Sequence, residues 1–204
     1  MDELEHNLDA TPFNLAVNNY QSELQELMEK IFLCYETMLT DKVELPKNDE
    51  NKIRDVLVFQ YLNNNELRQK FGLISFLFDP EVPVNSGRSD IKVQTKDTFL
   101  DTNAFYIIEC KRLDGNSALN NAYVKNGIDR FTTNYKSENY EYYYPSNGGI
   151  NGMIGFVIKN INIDNNMQKI GNFFNTIENH KLYNSNHENC KLFHLMINIS
   201  ALCR

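Results

Sequence analysis

Two short stretches carry the residues whose types and spacing can do chemistry. Asp90 lies in GRSDIKV, which begins at Gly87, and Glu109 and Lys111 lie in YIIECKRLDG, which begins at Tyr106. The apolar residues of both stretches follow the pattern of β-strands, and a buried strand rarely holds an acid or a lysine unless the charge is paired. These three charged residues are therefore the first candidates for a functional site.

Strand geometry predicts that the three side chains meet. Residues i and i+2 of a strand share a face, so Glu109 and Lys111 point one way while Ile108 and Cys110 point the other way, into the core. If the two strands pair as a hairpin, Asp90 lies beside Glu109. Adjacent carboxylates repel each other unless a cation joins them, and Mg²⁺ prefers oxygen ligands. Lys111 can then orient or deprotonate an attacking water, which completes the parts needed to hydrolyse a phosphodiester bond.

The elements that must position these residues are predicted by hydrophobic periodicity. The expected order is α-α-β-β-β-α-β-α-β, with two βαβ crossovers joining the last three strands. The predicted helices cover residues 18–40, 50–63, 118–136 and 167–179, and the predicted strands cover 74–78, 89–95, 104–112, 153–158 and 192–199. This order predicts an α/β fold, with a mixed sheet of about five strands flanked by helices on both faces.

The composition is ordinary for a globular domain. The 204 residues are 42% hydrophobic and 23% charged, which is enough for one domain with a sizeable core. No apolar run approaches the roughly 20 residues of a transmembrane helix, and the acidic start MDELEHNLDA is unlike a signal peptide. The four cysteines lack metal-ligand spacing, so we expect reduced thiols in a cytoplasmic protein that does not contact membranes.

The charge is unevenly distributed along the chain. The formal net charge is −7, which argues against a generally basic nucleic-acid binder. Residues 1–50 carry twelve acids and three lysines, whereas residues 87–136 carry eight basic residues and six acids. Because the surplus of positive charge is local, a polyanion can dock at the middle of the chain although the whole protein is acidic.

The arrangement of Asp90, a hairpin and Glu109-Cys110-Lys111 resembles the PD-(D/E)xK nuclease superfamily, in an uncharacterised bacterial branch. The element order from about residue 46 onward is similar to the α-β-β-β-α-β core of its restriction-endonuclease-like fold. The resemblance implies that Asp90 and Glu109 bind Mg²⁺ or Mn²⁺, with the backbone carbonyl of Cys110 as a third ligand. It also implies that Lys111 is the catalytic lysine.

The resemblance implies further site residues. In many superfamily members a glutamate of the first core helix lies near the metal; Glu50, at the start of ENKIRDVLVFQYL, is the best match, and Glu44 is second. The stretch NAYVKNGIDRF is similar to a pattern in which a tyrosine, a glycine and an Arg-Phe pair recur. Ser89 stands where the name of the superfamily has proline. The residues expected to contact nucleic acid are Arg88, Arg112, Tyr123 and Arg130.

The expected function is metal-dependent hydrolysis of nucleic acid, by a DNA nuclease of bacterial or phage defence, restriction or repair. We divide the chain into an acidic helical extension at 1–45 and a nuclease-like domain at 46–204. This leaves little room for a target-recognition domain, so specificity is expected from loops, a homodimer or a partner subunit. The alternative function is a catalytically silent module that keeps the fold to bind nucleic acid or a partner protein.

Each candidate also has a purely structural interpretation. Asp90 can be a hairpin-edge residue, and Glu109 with Lys111 can be an ion pair on a solvated face. Glu50 can be a first-turn acid that the helix dipole favours, and Arg130 can be a surface charge. The tyrosines of ENYEYYYPSNGG, residues 138–149, are expected to pack against the sheet or another subunit rather than stack on bases.

Overall fold

Six α-helices and nine β-strands make up the described part of the chain, in a computed structural model that covers residues 11–84, 87–132, 149–188 and 190–204. Side chains are described from residue 18 onward, and the tyrosines of the 138–149 stretch lie outside these ranges. The helices are α1 Thr11–Asp41, α2 Glu50–Val56, α3 Asn65–Lys70, α4 Ser117–Tyr123, α5 Asp129–Thr132 and α6 Ile163–Ile170. The strands are β1 Leu77–Pro80, β2 Pro83–Val84, β3 Gly87–Arg88, β4 Ile91–Gln94, β5 Phe105–Leu113, β6 Ile150–Val157, β7 Phe174–Glu178, β8 Leu182–Asn186 and β9 Lys191–Asn198.

Seven of the strands form one mixed sheet in the order β1-β4-β5-β6-β9-β8-β7. At its centre β5, β6 and β9 are parallel, while β1 and β4 on one side and β8 and β7 on the other pair antiparallel. The parallel pairing of β5 with β6 confirms the first predicted crossover. Strands β6 and β9 are also parallel, but β7 and β8 follow α6 between them, so the second connection is not the simple βαβ unit that was predicted. The prediction of an α/β fold with a mixed sheet is confirmed. The predicted number of about five strands is wrong, because the main sheet has seven strands in the described residues.

Of the two unexpected strands, β7 lies in a stretch that was predicted as a helix, and β8 lies beyond it, where a polar loop was expected. The helix over 167–179 is replaced by α6, which begins at Ile163 and ends at Ile170, and by strand β7. Asn162 caps α6 by accepting a hydrogen bond from the Asn165 N–H at 2.8 Å, which sets the earlier start. Gly171 follows the last helical residue with an extended backbone, so the chain turns into β7 and then β8.

The core lies on both faces of the sheet. On one face α1 and α2 cover alternate side chains of β5, including Tyr106, Ile108 and Cys110. On the other face, Phe105 and Ile107 pack in a second cluster with α4, α5 and α6. Glu109 and Lys111 point to this second face, as strand parity predicts, but the face is covered and not solvated.

Helix α1 belongs to the first of these core clusters. Its apolar residues recur every three or four positions, and Leu24, Met28 and Ile31 are fully buried. The segment that follows α1 is tied to the end of the chain, because the Leu45 N–H bonds the Leu202 carbonyl and the Arg204 N–H bonds the Leu45 carbonyl. The proposed division at residue 45 therefore does not coincide with a break in the core.

Two helices that were predicted as regular contain wide π-helical turns. The predicted helix at 50–63 is α2 followed by a π-helical turn at Leu57–Leu62. The predicted helix at 118–136 is α4, a π-helical turn at Val124–Ile128 and the short α5, and its last four predicted positions lie outside the described residues. Such turns are rare and often lie at functional sites. In the described ranges no helix combines the length and the apolar character needed to cross a bilayer.

Candidate active site

The candidate site lies between the start of β4 and the second half of β5, which carries Glu109 and Lys111. The β4–β5 ladder closes with Ile91 opposite Ile108, so Asp90 and Glu109 are the next residues on the two strands. Asp90 Oδ2 accepts a hydrogen bond from the Cys110 backbone N–H at 2.8 Å. The expectation that the hairpin brings Asp90 beside the Glu109–Lys111 stretch is therefore confirmed.

The Lys111 ammonium lies inside a cage of four oxygen atoms. Its Nζ is 2.6 Å from the Cys110 carbonyl oxygen and 3.1 Å from Glu109 Oε2. Asp90 Oδ2 is 3.2 Å away, and Glu50 Oε1 is 3.5 Å away. We call these four atoms the oxygen cage. They come from the four residues that the sequence resemblance gives as metal ligands.

Burial makes these charges interdependent. Glu109 is 0% exposed and Lys111 is 8% exposed. A buried charge is costly unless an opposite charge and hydrogen bonds compensate for the lost water, so neither residue is stable here without its partners. The structural interpretation as an ion pair on a solvated face is wrong for this reason.

The same interactions shift the pKa values within the site. Burial alone would lower the pKa of Lys111, but the charges of Asp90, Glu109 and Glu50 outweigh it, and the pKa is raised. Burial alone would raise the pKa of Asp90, but the Lys111 ammonium and the Cys110 N–H outweigh it, and the pKa is lowered. Both shifts keep the groups charged at neutral pH.

Glu50 reaches the site from the first turn of α2. Asp49 caps this helix by accepting from the Lys52 N–H at 3.1 Å, which fixes Glu50 as the first helical residue. Glu50 Oε2 accepts from the Arg112 backbone N–H at 2.8 Å, while its Oε1 belongs to the oxygen cage. The second choice, Glu44, instead forms an exposed ion pair with Arg204 at 2.6 Å.

Two arginines hold the carboxylates from outside the cage. Arg130, on α5, donates from Nη1 to Glu109 Oε2 at 2.7 Å and from Nη2 to the Arg88 carbonyl at 3.3 Å. Arg54, on α2, lies 3.5 Å from Asp90 Oδ1 and also bonds Asp55 and Glu81 at 2.7 and 3.0 Å.

Arg54 was not predicted as a site residue from the sequence. It is only 2% exposed, which is unusual for an arginine. Its position in ENKIRDVLVFQYL, beside the apolar Ile53, is the one local signal, because a charge on a buried helix face requires partners. Asp55 is the next residue, but Glu81 and Asp90 lie 27 and 36 residues further along the chain and could not be named as partners.

The remaining expected nucleic-acid contacts differ in their surroundings. The Arg88 side chain is 62% exposed and pairs with Glu81 at 2.7 Å. Arg112 donates from Nη1 to the Lys47 carbonyl at 3.3 Å, at the edge of the site. Tyr123 is fully buried, and its hydroxyl is 2.9 Å from His194 Nδ1, so the expectation that Tyr123 contacts nucleic acid is wrong.

Gly127 allows the π-helical turn between α4 and α5 to lie against the site. A Cβ on this residue would lie 2.4 Å from Met153 Cε and 3.4 Å from Lys111 Cγ. Only a residue without a side chain fits at this distance unless Met153 moves. The glycine thus brings α5, with Arg130, close enough to reach Glu109.

The atoms of the oxygen cage are of the kind that a divalent cation binds, but they lie further apart than the ligands of a bound ion do. Carboxylate and carbonyl oxygens suit Mg²⁺ and Mn²⁺. Mg²⁺ requires oxygens at about 2.0–2.1 Å, whereas the cage oxygens surround an ammonium at 2.6–3.5 Å. Accordingly, across the described ranges no three His, Cys, Asp or Glu side chains already stand at metal-binding spacing. Glu50, Asp90 and Glu109 would have to close around an ion.

The residues of the sequence pattern lie together in the structure. Glu109, Lys111 and Asp90 are together, and Glu50 joins them. A scan against protein-family models and searches of curated proteins and solved structures find no match for this chain.

Proposed function

We propose that this protein is a metal-dependent nuclease with a restriction-endonuclease-like core, and that DNA is its substrate. The observation that supports the proposal is the oxygen cage, in which three carboxylates from separate elements and one carbonyl surround a single positive charge. Gathering three carboxylates at one place costs free energy of folding, so such a cluster is typical of functional sites.

Each residue has a role in this reaction. Asp90, Glu109, Glu50 and the Cys110 carbonyl would hold the divalent ion, which when bound polarises the phosphoryl oxygen and lowers the pKa of a bound water. Lys111 orients the attacking water and stabilises the charge that develops on the phosphate. Arg130 holds the Glu109 carboxylate at 2.7 Å and so keeps the cage in place.

The surroundings of the cage suit a phosphate backbone. Arg88 and Arg112 lie at its margin, and the Arg88 side chain is mainly exposed. A local basic margin can hold a polyanion although the net charge is −7.

A second function follows from the charge balance of the site. Lys111, Arg130 and Arg54 already neutralise Glu109, Asp90 and Glu50 in part, without an ion. A catalytically silent module that binds nucleic acid or a partner protein would keep such a network for its stability alone. This alternative predicts that neither Mg²⁺ nor Mn²⁺ binds.

The test is a cleavage assay with supercoiled plasmid, linear duplex and single-stranded DNA, with Mg²⁺ or Mn²⁺ and with EDTA. Lys111→Ala is compared with Lys125→Ala, which changes an exposed lysine on the neighbouring turn. Metal-dependent cutting that is lost in Lys111→Ala and kept in Lys125→Ala supports the nuclease. No cutting of any substrate, together with no calorimetric Mn²⁺ binding, would leave the silent module as the better account.

A further inference from the structure

The Lys111 ammonium lies at the centre of the oxygen cage and not at its margin. The Lys111 Nζ contacts all four atoms of the oxygen cage, at 2.6, 3.1, 3.2 and 3.5 Å. A lysine that only assisted a bound ion would lie beside the ligand oxygens, not in their midst. Here the ammonium is at the point toward which the oxygens converge.

Two cations cannot share that point. A divalent ion among the same oxygens would lie about 2–3 Å from the ammonium if Lys111 stayed, and the two like charges would repel each other strongly at low dielectric. The lone pairs with which the cage oxygens now accept hydrogen bonds from Lys111 would also be directed at the ion instead. Ion binding and the present position of the ammonium therefore exclude each other.

We propose that the Lys111 ammonium is a built-in competitor of the divalent ion, which fills the oxygen cage in the metal-free protein and leaves it when the ion binds. This inference rests on the proposed metal-dependent function and concerns its regulation. In the metal-free protein the ammonium compensates the three carboxylates, so their mutual repulsion is reduced. Its cost is a weaker affinity for the ion, because every binding event must first break the contacts of Lys111.

The geometry permits this exchange without unfolding. The Lys111 side chain retains 10% exposure, and Glu50 and Asp90 are 27% and 15% exposed, so the cage has an open side. A Cβ on Gly127 would lie 3.4 Å from the Lys111 Cγ, so this glycine places no side chain of its own against the lysine stem. The backbone of β5 can remain paired with β4 and β6 throughout.

The test compares Mn²⁺ affinity by calorimetry in the wild type, Lys111→Met and the matched control Lys125→Met. Methionine keeps the length of the lysine stem and removes the competing charge. We expect Lys111→Met to bind Mn²⁺ at least about tenfold more tightly than the wild type, and Lys125→Met to bind as the wild type does. Adding Glu109→Gln to Lys111→Met should abolish the gain, because the ion then loses a cage ligand.

The outcomes separate the inference from the function on which it rests. If the wild type binds Mn²⁺ and Lys111→Met binds with equal or lower affinity, the competition is wrong while a metal site remains. If neither protein binds Mn²⁺ at millimolar concentration, both the proposed metal-dependent function and the proposed competition are wrong. Tighter binding in Lys111→Met that Glu109→Gln removes supports both.

A measurement on the wild type covers the case in which Lys111→Met does not fold. The ¹⁵N-labelled lysine ammonium signals are followed by NMR during a Mg²⁺ titration, and Lys111→Arg identifies the Lys111 signal by its absence. We expect this signal to move toward that of a solvated lysine, with the same midpoint as Mg²⁺ binding. A Lys111 signal that stays unchanged while Mg²⁺ saturates the protein would overturn the competition.

Discussion

Asp90 and Cys110 are joined by a hydrogen bond of 2.8 Å from the Cys110 backbone N–H to Asp90 Oδ2. This bond locks the carboxylate to the strand that carries Glu109 and Lys111, so the three residues keep a fixed relation. The same Oδ2 accepts from Lys111 Nζ at 3.2 Å. One oxygen therefore serves both the packing of the hairpin and the charge balance of the site.

The lowered pKa of Asp90 predicts a pH dependence of stability. A carboxyl group with a lowered folded-state pKa stabilises the protein above its unfolded pKa of about 3.9, and this contribution is lost as the pH falls through the folded-state value. We expect Asp90→Asn to lower the free energy of unfolding at pH 7, and the difference from the wild type to shrink below about pH 4. Urea denaturation in EDTA measures it, with the exposed Asp101→Asn as control. A difference that stays constant with pH would contradict the assignment.

Glu50 offers a comparison between two first-turn acids. Glu50→Gln and Glu66→Gln each remove a carboxylate from the start of a helix, so each should cost about 0.3–1 kcal/mol of stability through the helix dipole. Only Glu50 reaches the oxygen cage. We therefore expect Glu50→Gln alone to weaken Mn²⁺ binding, by about tenfold, as measured by calorimetry. Equal Mn²⁺ affinities in the two variants would assign Glu50 a structural role only.

Arg54→Met tests the buried arginine that sequence reasoning missed. The side chain is 3% exposed and bonds Asp55, Glu81 and Asp90, so its removal leaves Asp90 without one partner. We expect a loss of about 3 kcal/mol, at the lower end of the range for broken buried pairs, because Asp55 and Glu81 remain partly solvated. Chemical denaturation measures it.

The control for Arg54→Met is Lys52→Met on the same helix. The Lys52 side chain is 71% exposed, so its substitution should change the free energy of unfolding by less than about 0.5 kcal/mol. A similar small effect for Arg54→Met would show that its ion pairs do not stabilise the fold.

Gly127→Ala tests the close approach of the π-helical turn to the site. The new Cβ would lie 2.4 Å from Met153 Cε, so either the methionine or the turn must move, at a cost of about 1–3 kcal/mol. Adding Met153→Ala should restore part of the fit, which makes the two substitutions non-additive in thermal denaturation. Strict additivity would show that the contact is relieved elsewhere.

The sequence predicted the central part of the fold because it has unambiguous patterns. Alternation in Ile91 to Gln94 and the continuous apolar run from Phe105 favoured strands, and their pairing as a hairpin then placed Asp90 beside Glu109. The stretch around Phe173, Phe174 and Ile177 fits a helical face as well as a strand, so periodicity alone could not separate them. The decisive features were the Asn162 cap and Gly171.

The site was predictable only as far as its local motif. Glu109 and Lys111 are two residues apart, so strand geometry placed them together, whereas the central position of Lys111 depends on three separate elements. Arg54 bonds Glu81, 27 residues away, and Asp90, 36 residues away. Contacts at such separations leave no mark on local periodicity. Tyr123 was expected at nucleic acid on the resemblance alone, and its contact with His194, 71 residues away, could not be named from the sequence.

His194 predicts a second pH dependence, away from the candidate site. Its ring is fully buried, with Nδ1 2.9 Å from the Tyr123 hydroxyl and Nε2 2.8 Å from Ser185 Oγ. Burial, with a smaller effect of His187, lowers the pKa of His194 to about 3. The group is therefore neutral in the folded protein at pH values where an unfolded histidine, with a pKa of about 6.5, binds a proton.

The unfolded state thus binds more protons between about pH 6.5 and about pH 3, and the free energy of unfolding falls as the pH is lowered through this range. We expect His194→Gln to be less stable than the wild type at pH 7, because the bonds to Tyr123 and Ser185 are disturbed, but to lose less stability on acidification. Denaturation curves at pH 7 and pH 4.5 measure this, with His180→Gln, an exposed histidine, as control. If His194→Gln kept the full wild-type loss between these pH values, the buried ring would not be the source of the dependence.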